Sequence, residues 1–261
     1  MPDEPTDADP AVLTEERDGV LVITINRPEA RNAINGAVAR GIADALDRLD
    51  DEDGLRVGVL TGGGGFFSSG MDLKGFLSGD VPIIEGRGLG GLTEKAPRKP
   101  LIAAIEGYAV AGGFELVLAC DLVVAAEDAK LGVPEVKRAL VAGAGAAIHL
   151  PQRIPQAIAM EMLLTGEPIT AARAAELGLV NRVVPSGGAL DAAVELARQI
   201  AANGPLAVAV TKQIALSAPD WTFEEGWAKQ AELMAPVFVS EDAQEGARAF
   251  AEKRAPVWKG R

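Results

Sequence analysis

The stretch AGGFELVLACDLVVAAEDAKLGVPE, Ala111 to Glu135, constrains this chain more than any other. Two adjacent glycines, Gly112 and Gly113, precede an apolar run that contains Glu115, and Glu135 closes the stretch. Charged side chains are rarely buried without a partner. Each glutamate alone has an ordinary reading: Glu115 as an acid complementing a helix dipole, Glu135 as the residue after Pro134 that starts a short helix. The combination asks for more. A Gly-Gly pair ahead of a helix lets backbone approach a ligand closely and leaves the first amides unpaired. Such amides are anion donors. Gly70-Met71, following a predicted strand, offers a matching donor. Two amides meeting at one point form an oxyanion hole, and two carboxylates beside it form an acid–base pair.

The surrounding pattern predicts α/β architecture. Val20 to Asn26 alternates and is β-branched, which reads as a strand ended by Arg27-Pro28. Asn35 caps a helix through about Leu49, with Val38, Ile42, Ala45, Leu46 and Leu49 at helical spacing. Arg56 to Thr61 and Leu101 to Glu106 read as strands, Gly113 to Cys120 as a buried helix, and Leu122 to Ala125 as a further strand. Residues 79–99, rich in Gly, Pro and charge, read as a mobile surface loop. Beyond Pro151 the pattern is mainly helical: 154–164, 170–177 capped by Thr170, 190–202, 205–217, 222–234 and 240–253. The organisation expected is an acidic, disordered tail over 1–11, an α/β core over 12–200 and a helical region over 201–261.

Composition excludes several functions. The formal net charge of −12 argues against nucleic acid as a partner, since phosphate binding needs a basic face. The acidic, proline-rich start lacks the basic and apolar segments of a signal peptide. The longest apolar candidate, Leu116 to Ala126, is interrupted by Asp121 and falls short of a membrane span. The single cysteine, Cys120, fits a reducing, cytoplasmic setting. One His (His149) and one Cys leave no plausible zinc set, so no metal site is expected. The glycine run in LTGGGGFFSSG lacks the Gly-Lys-Ser/Thr ending of a phosphate loop. GAGAAI at 143–148 is a broken dinucleotide fingerprint. Ser68 and Ser69 sit in no nucleophile elbow, and a serine triad would depend on His149 alone.

Five segments, taken together and in order, resemble the enoyl-CoA hydratase/isomerase (crotonase) superfamily. They are NRPEARNAI (26–34), FFSSGMDLKGF (66–76), EGYAVAGGFELVLACDLVVAAEDAKLGVPE (106–135), LTGEPITAARAAELGLVNRVVP (164–185) and FAEKR (250–254). The resemblance covers about 13–261. Within the superfamily, SEDAQEGARAFAEKRAPVWKGR is especially similar to the carnitinyl-CoA dehydratase group, and FFSSGMDLK, GGLTE and GGFELVLA point the same way.

The resemblance implies a spiral of ββα units with a C-terminal trimerisation region. It implies trimers or dimers of trimers, and an acyl-CoA substrate whose coenzyme A is carried in with it, so that no separate cofactor is needed. Residue by residue, the N–H groups of Met71 and Gly112 match the oxyanion hole, and Glu115 and Glu135 match the two catalytic glutamates of the hydratases. Ala30, Arg31, Ser69, Gly70, Asp72, Leu73, Lys74, Tyr108, Gly113 and Pro134 match positions around substrate. Phe250 and Lys253 match a pair that reaches the CoA nucleotide, often of a neighbouring subunit. Arg31, Lys74, Lys253 and Arg254 are the cations expected to meet CoA phosphates.

Three departures stand out. Ala111 replaces the first glycine of a Gly-Gly-Gly run, and Ala142-Gly143-Ala144-Gly145-Ala146 replaces a proline- and glycine-rich loop. Arg138 stands three residues after Glu135, where many relatives carry an apolar residue, and is expected to lower the pKa of Glu135. Three activities fit the motifs: a hydro-lyase using both glutamates, an enoyl-CoA isomerase needing one, and a catalytically silent acyl-CoA-binding homologue. Keeping both glutamates favours the first, with a carnitinyl-CoA-type substrate as a variant.

Overall fold

A computed structural model describes residues 10–261. The predicted acidic tail lies outside the described residues over 1–9. Its last two residues are held: Asn26 donates through its main chain to Ala11 (2.8 Å) and through its side chain to Pro10 (3.1 Å).

The chain lays down β1 (Val12–Arg17), β2 (Val20–Ile25), α1 (Gly36–Asp51), β3 (Val57–Gly62), α2 (Leu73–Leu77), β4 (Ile83–Ile84) and β5 (Gly88–Leu89). Then come β6 (Leu101–Ile105), β7 (Tyr108–Val110), α3 (Gly112–Ala119), β8 (Leu122–Ala126) and β9 (Lys130–Gly132). A 3-10 turn over Pro134–Arg138 leads to α4 (Ala146–Arg153), α5 (Gln156–Thr165), β10 (Ile169–Thr170), α6 (Ala171–Glu176) and β11 (Arg182–Val184). Four helices end the chain: α7 (Ala189–Ala201), α8 (Pro205–Ser217), α9 (Phe223–Phe238) and α10 (Glu241–Glu252).

The main sheet has the order β1-β2-β3-β6-β8-β11, parallel throughout except for the antiparallel β1 edge. Its inner strands are covered on both faces, as parallel sheets require. Leu21, Ile23, Ile25, Leu60, Leu101, Ala103 and Ile105 point to one face and meet Ile42, Leu46 and Leu49 of α1. Val20, Val22, Val57, Val59, Ile102 and Ala104 point to the other and meet Ala189, Ala193, Val194 and Ala197 of α7. Burying each Leu or Ile contributes about 1.5–3 kcal/mol. A second, smaller sheet of order β10-β9-β7 stands beside the first. The turns β6-β7-α3 and β8-β9 with the 3-10 turn after it each place one strand in each sheet and a helix beyond, the expected ββα unit.

The predicted helices are found, with boundaries moved by a few residues. Asn35 caps α1 by accepting from Val38 N–H (3.0 Å), and Thr222 closes a capping box with Glu225 at the start of α9. The segment 154–164 corresponds to α5, and α4 precedes it with Pro151 inside its last turn.

Residues 79–99 are not a mobile surface loop. Arg87 grips Asp47 with both terminal nitrogens (2.7 and 2.9 Å) and donates to Ala43 O, while Leu89 and Leu92 are buried. The glycines that suggested mobility serve close approach: Gly91 has φ +67, and a Cβ there would lie 2.8 Å from Ala39 O.

The last three helices bury little within the chain. Phe223, Trp227, Phe238, Val239 and Phe250 are all exposed. Lys212 of α8 ties this region to the core through Asp121 (2.6 Å) and Lys99 O (3.0 Å). Among the described residues no helix is long and apolar enough to cross a membrane.

Candidate active site

Three segments remote in sequence converge beside the N-terminus of α3. Residues 67–70 run alongside β7: Phe67 N–H donates to Glu106 O (2.9 Å), Ser68 N–H to Tyr108 O (3.0 Å) and Val110 N–H to Ser68 O (3.1 Å). On their other side Ile34 N–H donates to Gly70 O and Asp72 N–H to Ile34 O, both at 2.8 Å. The bonds to Ile34 use Gly70 O and Asp72 N–H, so the amide of Met71 faces the opposite way, and it donates to no acceptor among the described residues.

Gly112, the first residue of α3, also has no acceptor for its N–H among the described residues. The peptide before it is turned outward because Ala111 adopts φ +53, ψ −134. A Cβ placed on Gly112 would lie 3.4 Å from Met71 N, so the two free donors are neighbours. Gly70 is required between them. Its φ is +92, and a Cβ there would sit 2.7 Å from Ala111 Cβ and 3.0 Å from Gly112 N. Gly113 packs against Ser68, where a Cβ would lie 2.6 Å from the carbonyl oxygen.

Glu115, one helical turn on, is only 4% exposed. Its Oε1 accepts from Ala144 N–H (2.7 Å) and Ala146 N–H (3.1 Å), while Oε2 has no partner among the described residues. Burial raises its pKa, and these two amides oppose the rise. The main chain of the altered loop, residues 142–146, therefore holds the first glutamate in place.

Glu135 lies in the 3-10 turn after β9, with Oε2 buried and unpartnered. Burial is the main cause of its raised pKa, and the charge of Glu115 adds to it. Its own amide and Arg138 pull the other way. Arg138 acts with the expected sign, but it is the smallest cause and desolvation prevails. Both carboxyls are thus biased toward the protonated form, and Glu135 feels the charge of Glu115.

Other candidates fall into two groups. Ala30, Arg31, Ser69, Gly70, Met71 and Asp72 share one neighbourhood, since Ser69 N–H donates to Arg31 O (3.0 Å). Pro134 directly precedes Glu135. Tyr108 is half exposed and stacks on Phe66 at 6.0 Å between centroids. Leu73 and Lys74 begin α2 and are exposed. The Asp72 carboxylate is already engaged: it accepts from Lys74 and Gly75 N–H as the cap of α2 and pairs with Arg27 at 3.0 Å. The amide of Gly75 first, then Arg27, holds its pKa below the usual carboxylate value. Phe250 and Lys253 lie at the end of α10, which packs chiefly on α9 rather than on the glutamate-bearing segments.

The sequence pattern gave no notice of three supporting residues. Asn32, fully buried at φ +55, donates through Nδ2 to Gly63 O (2.8 Å) and Phe66 O (2.7 Å) and accepts from Arg27 N–H (3.0 Å). Ser68 Oγ donates to Asn32 O (2.8 Å) and accepts from Gly70 N–H (3.1 Å). Arg27 spans Ala33 O (2.7 Å) and Asp72. Their place inside the segments NRPEARNAI and FFSSGMDLKGF was the available signal.

Comparison with known proteins gives the family. An enoyl-CoA hydratase/isomerase family model matches residues 15–261. The chain is 42% identical to the enoyl-CoA hydratase EchA19 of Mycobacterium tuberculosis over 97% of both proteins. It is 43% identical to the carnitinyl-CoA dehydratase of Salmonella typhi over 93% of this chain and 95% of that protein. A crystal structure of an enoyl-CoA hydratase from M. tuberculosis H37Rv superposes with a TM-score of 0.96, at 58% identity, over 97% of this chain and 100% of that one. The protein belongs to the enoyl-CoA hydratase/isomerase family.

Proposed function

We propose that this protein is an enoyl-CoA hydratase-type lyase, adding water to a conjugated acyl-CoA thioester or eliminating it. The supporting observation is two neighbouring main-chain amides, at Met71 and Gly112, with no acceptor among the described residues, together with two glutamates whose pKa values burial raises. Hydration pushes negative charge onto the thioester oxygen, and each fixed N–H donor is worth about 3 kcal/mol to that transition state in a dry site.

Glu115, with Oε1 tied to two amides, has Oε2 available to orient and deprotonate water for attack on the β-carbon. Glu135 delivers a proton to the α-carbon; elimination runs the same steps in reverse. One acid and one base coexist near neutral pH because the two carboxyls titrate as a coupled pair.

Ala30, Arg31, Ser69, Gly70, Asp72, Leu73, Lys74, Tyr108, Gly113 and Pro134 would frame the substrate. Asp72 would contribute by positioning Met71 beside it, since its carboxylate is engaged with Arg27 and its main chain with Ile34 and Phe76. Phe250 and Lys253 would reach CoA held by another subunit of a homotrimer or of a dimer of trimers. The exposed apolar residues of α8 to α10 support that assembly. Coenzyme A enters with the substrate, and no further cofactor takes part in the reaction. The bacterial hydratase relatives and the acidic, single-cysteine composition support a cytoplasmic enzyme.

A spectrophotometric assay with crotonyl-CoA on the wild type, Glu115→Ala and Glu135→Ala tests this reading. Loss of the conjugated thioester absorbance with wild type alone supports hydration. Tight binding without turnover by any of the three proteins would indicate a silent scaffold, and a shifted double bond without water uptake would indicate an isomerase.

A further inference from the structure

The turn that carries Glu135 has a geometry that assigns a role to its neighbour. Residues 134–138 form a 3-10 helix, in which side chains three apart lie one above the other. The register is visible on one side of the turn. Pro134 and Lys137 both pack on Gly166, whose Cβ position would lie 3.2 Å from Pro134 Cα and 3.2 Å from two side-chain carbons of Lys137. Lys137 is neutralised there by Glu167 at 2.6 Å. The next strip of the same turn is Glu135 and Arg138. Arg138 is exposed and, among the described residues, donates to no acceptor and forms no ion pair. It is close enough to act on the charge of Glu135. The following segment adds exposed Leu140 and Val141, and Ile148 stands exposed on α4.

We propose that Arg138 sets the charge preference of the site at the distal end of the acyl group, selecting a carboxylate-tailed acyl-CoA over a neutral one and rejecting a quaternary-ammonium tail. The assignment rests on the hydratase reading, in which the reacting carbons lie between Glu115 and Glu135. The β-carbon then lies between the two carboxyls, so the carbons beyond it begin near both of them, and a charge on those carbons falls within Coulombic reach of the guanidinium on the strip of Glu135. Arg138 is the one cation of this turn that the protein leaves uncompensated, since Lys137 is paired with Glu167.

The experiment compares three saturated thioesters that differ only in the tail: butyryl-CoA, glutaryl-CoA and 4-trimethylammoniobutyryl-CoA. Dissociation constants are measured by titration calorimetry on the wild type, Arg138→Gln, Arg138→Lys and Arg138→Glu. Butyryl-CoA is the internal reference, which removes any general change in folding or CoA affinity. The wild type is expected to bind the carboxylate tail over the ammonium tail by on the order of ten-fold. Arg138→Gln should bring that ratio close to one, Arg138→Lys should keep its sign, and Arg138→Glu should invert it. A ratio that Arg138→Gln and Arg138→Glu leave unchanged overturns the assignment. Turnover of the matching 2-enoyl thioesters separates this result from the underlying reading. Charge-dependent binding with no hydration of any of them would sink the hydratase reading and leave the role of Arg138 intact.

Discussion

Arg27 and Asp72 are joined at 3.0 Å, and through this pair the chain after the first predicted strand holds the residue that follows Met71. The same guanidinium nitrogen also donates to Ala33 O at 2.7 Å, next to Ile34, whose main chain brackets Met71. Arg27 is therefore a positioning residue for one of the two free amides. Removing it leaves Asp72 unpaired and only partly exposed.

Arg27→Ala should lower stability by about 2 kcal/mol, the usual worth of hydrogen bonds to charged groups. It should lower kcat on crotonyl-CoA by about ten-fold, a fraction of the effect of losing an oxyanion donor outright. A purely structural role would lower Tm alone. The added readout is the carbonyl stretching frequency of a bound enoyl-CoA, which should shift back toward its solution value if the Met71 amide has moved.

Ala111→Gly should stabilise the protein by about 1 kcal/mol. Ala111 sits at φ +53, ψ −134, a region that L side chains occupy only under strain and that glycine enters freely. Turnover should be little changed, because the peptide orientation that frees Gly112 N–H is the one glycine prefers. Chemical denaturation of the two proteins checks the first statement. A destabilised Ala111→Gly would show that the alanine conformation is relaxed.

Gly70→Ala should be severe in activity. Its Cβ would lie 3.0 Å from Gly112 N at a backbone φ of +92, so either the side chain intrudes between the donors or the turn shifts. A loss of ~10²-fold in kcat is expected. Circular dichroism should show the fold retained, since the strain is of order 1–3 kcal/mol.

The two glutamates should follow an inverted pH rule. Each folded-state pKa lies above its unfolded value, so the native protein binds more protons across that interval and stability falls as pH rises through it. Glu115→Gln keeps an oxygen for the amides of Ala144 and Ala146 while removing the buried charge. It should melt above the wild type at pH 7, and the advantage should vanish below the ordinary carboxylate range, where both forms are neutral. Activity should drop by ~10³-fold. Equal melting temperatures at pH 7 would show that the buried carboxylate carries no penalty.

Legibility varied by element for physical reasons. α1 could be read because its cap and its apolar spacing agree, and Val38, Ile42, Ala45, Leu46 and Leu49 are all buried as that spacing requires. β1 could not. As an edge strand with exposed Thr14, Glu15 and Glu16, it shows no alternation. β7 and β9 are three residues each, too short for periodicity to register, yet they bring Ser68 and Gly112 together. The motifs drew attention to Glu115, Glu135, Gly112 and Met71. They contain Asn32, Ser68 and Arg27 but assign them no role, because bracing of that kind is defined by contacts across the fold. The segment 79–99 misled for a related reason: glycine signals an unusual backbone, and only the packing of Leu89 and Leu92 shows that the backbone is fixed.

The pairing of residues 67–70 with β7 has a kinetic corollary. Neither free amide is aimed until two stretches of chain, separated by α2, the 83–92 hairpin and β6, have found one another. Contacts of such long sequence separation form late, after local helices have appeared. During renaturation from denaturant, recovery of turnover should therefore lag the return of the far-ultraviolet helical signal, and the lag measures the docking of that single short parallel pair.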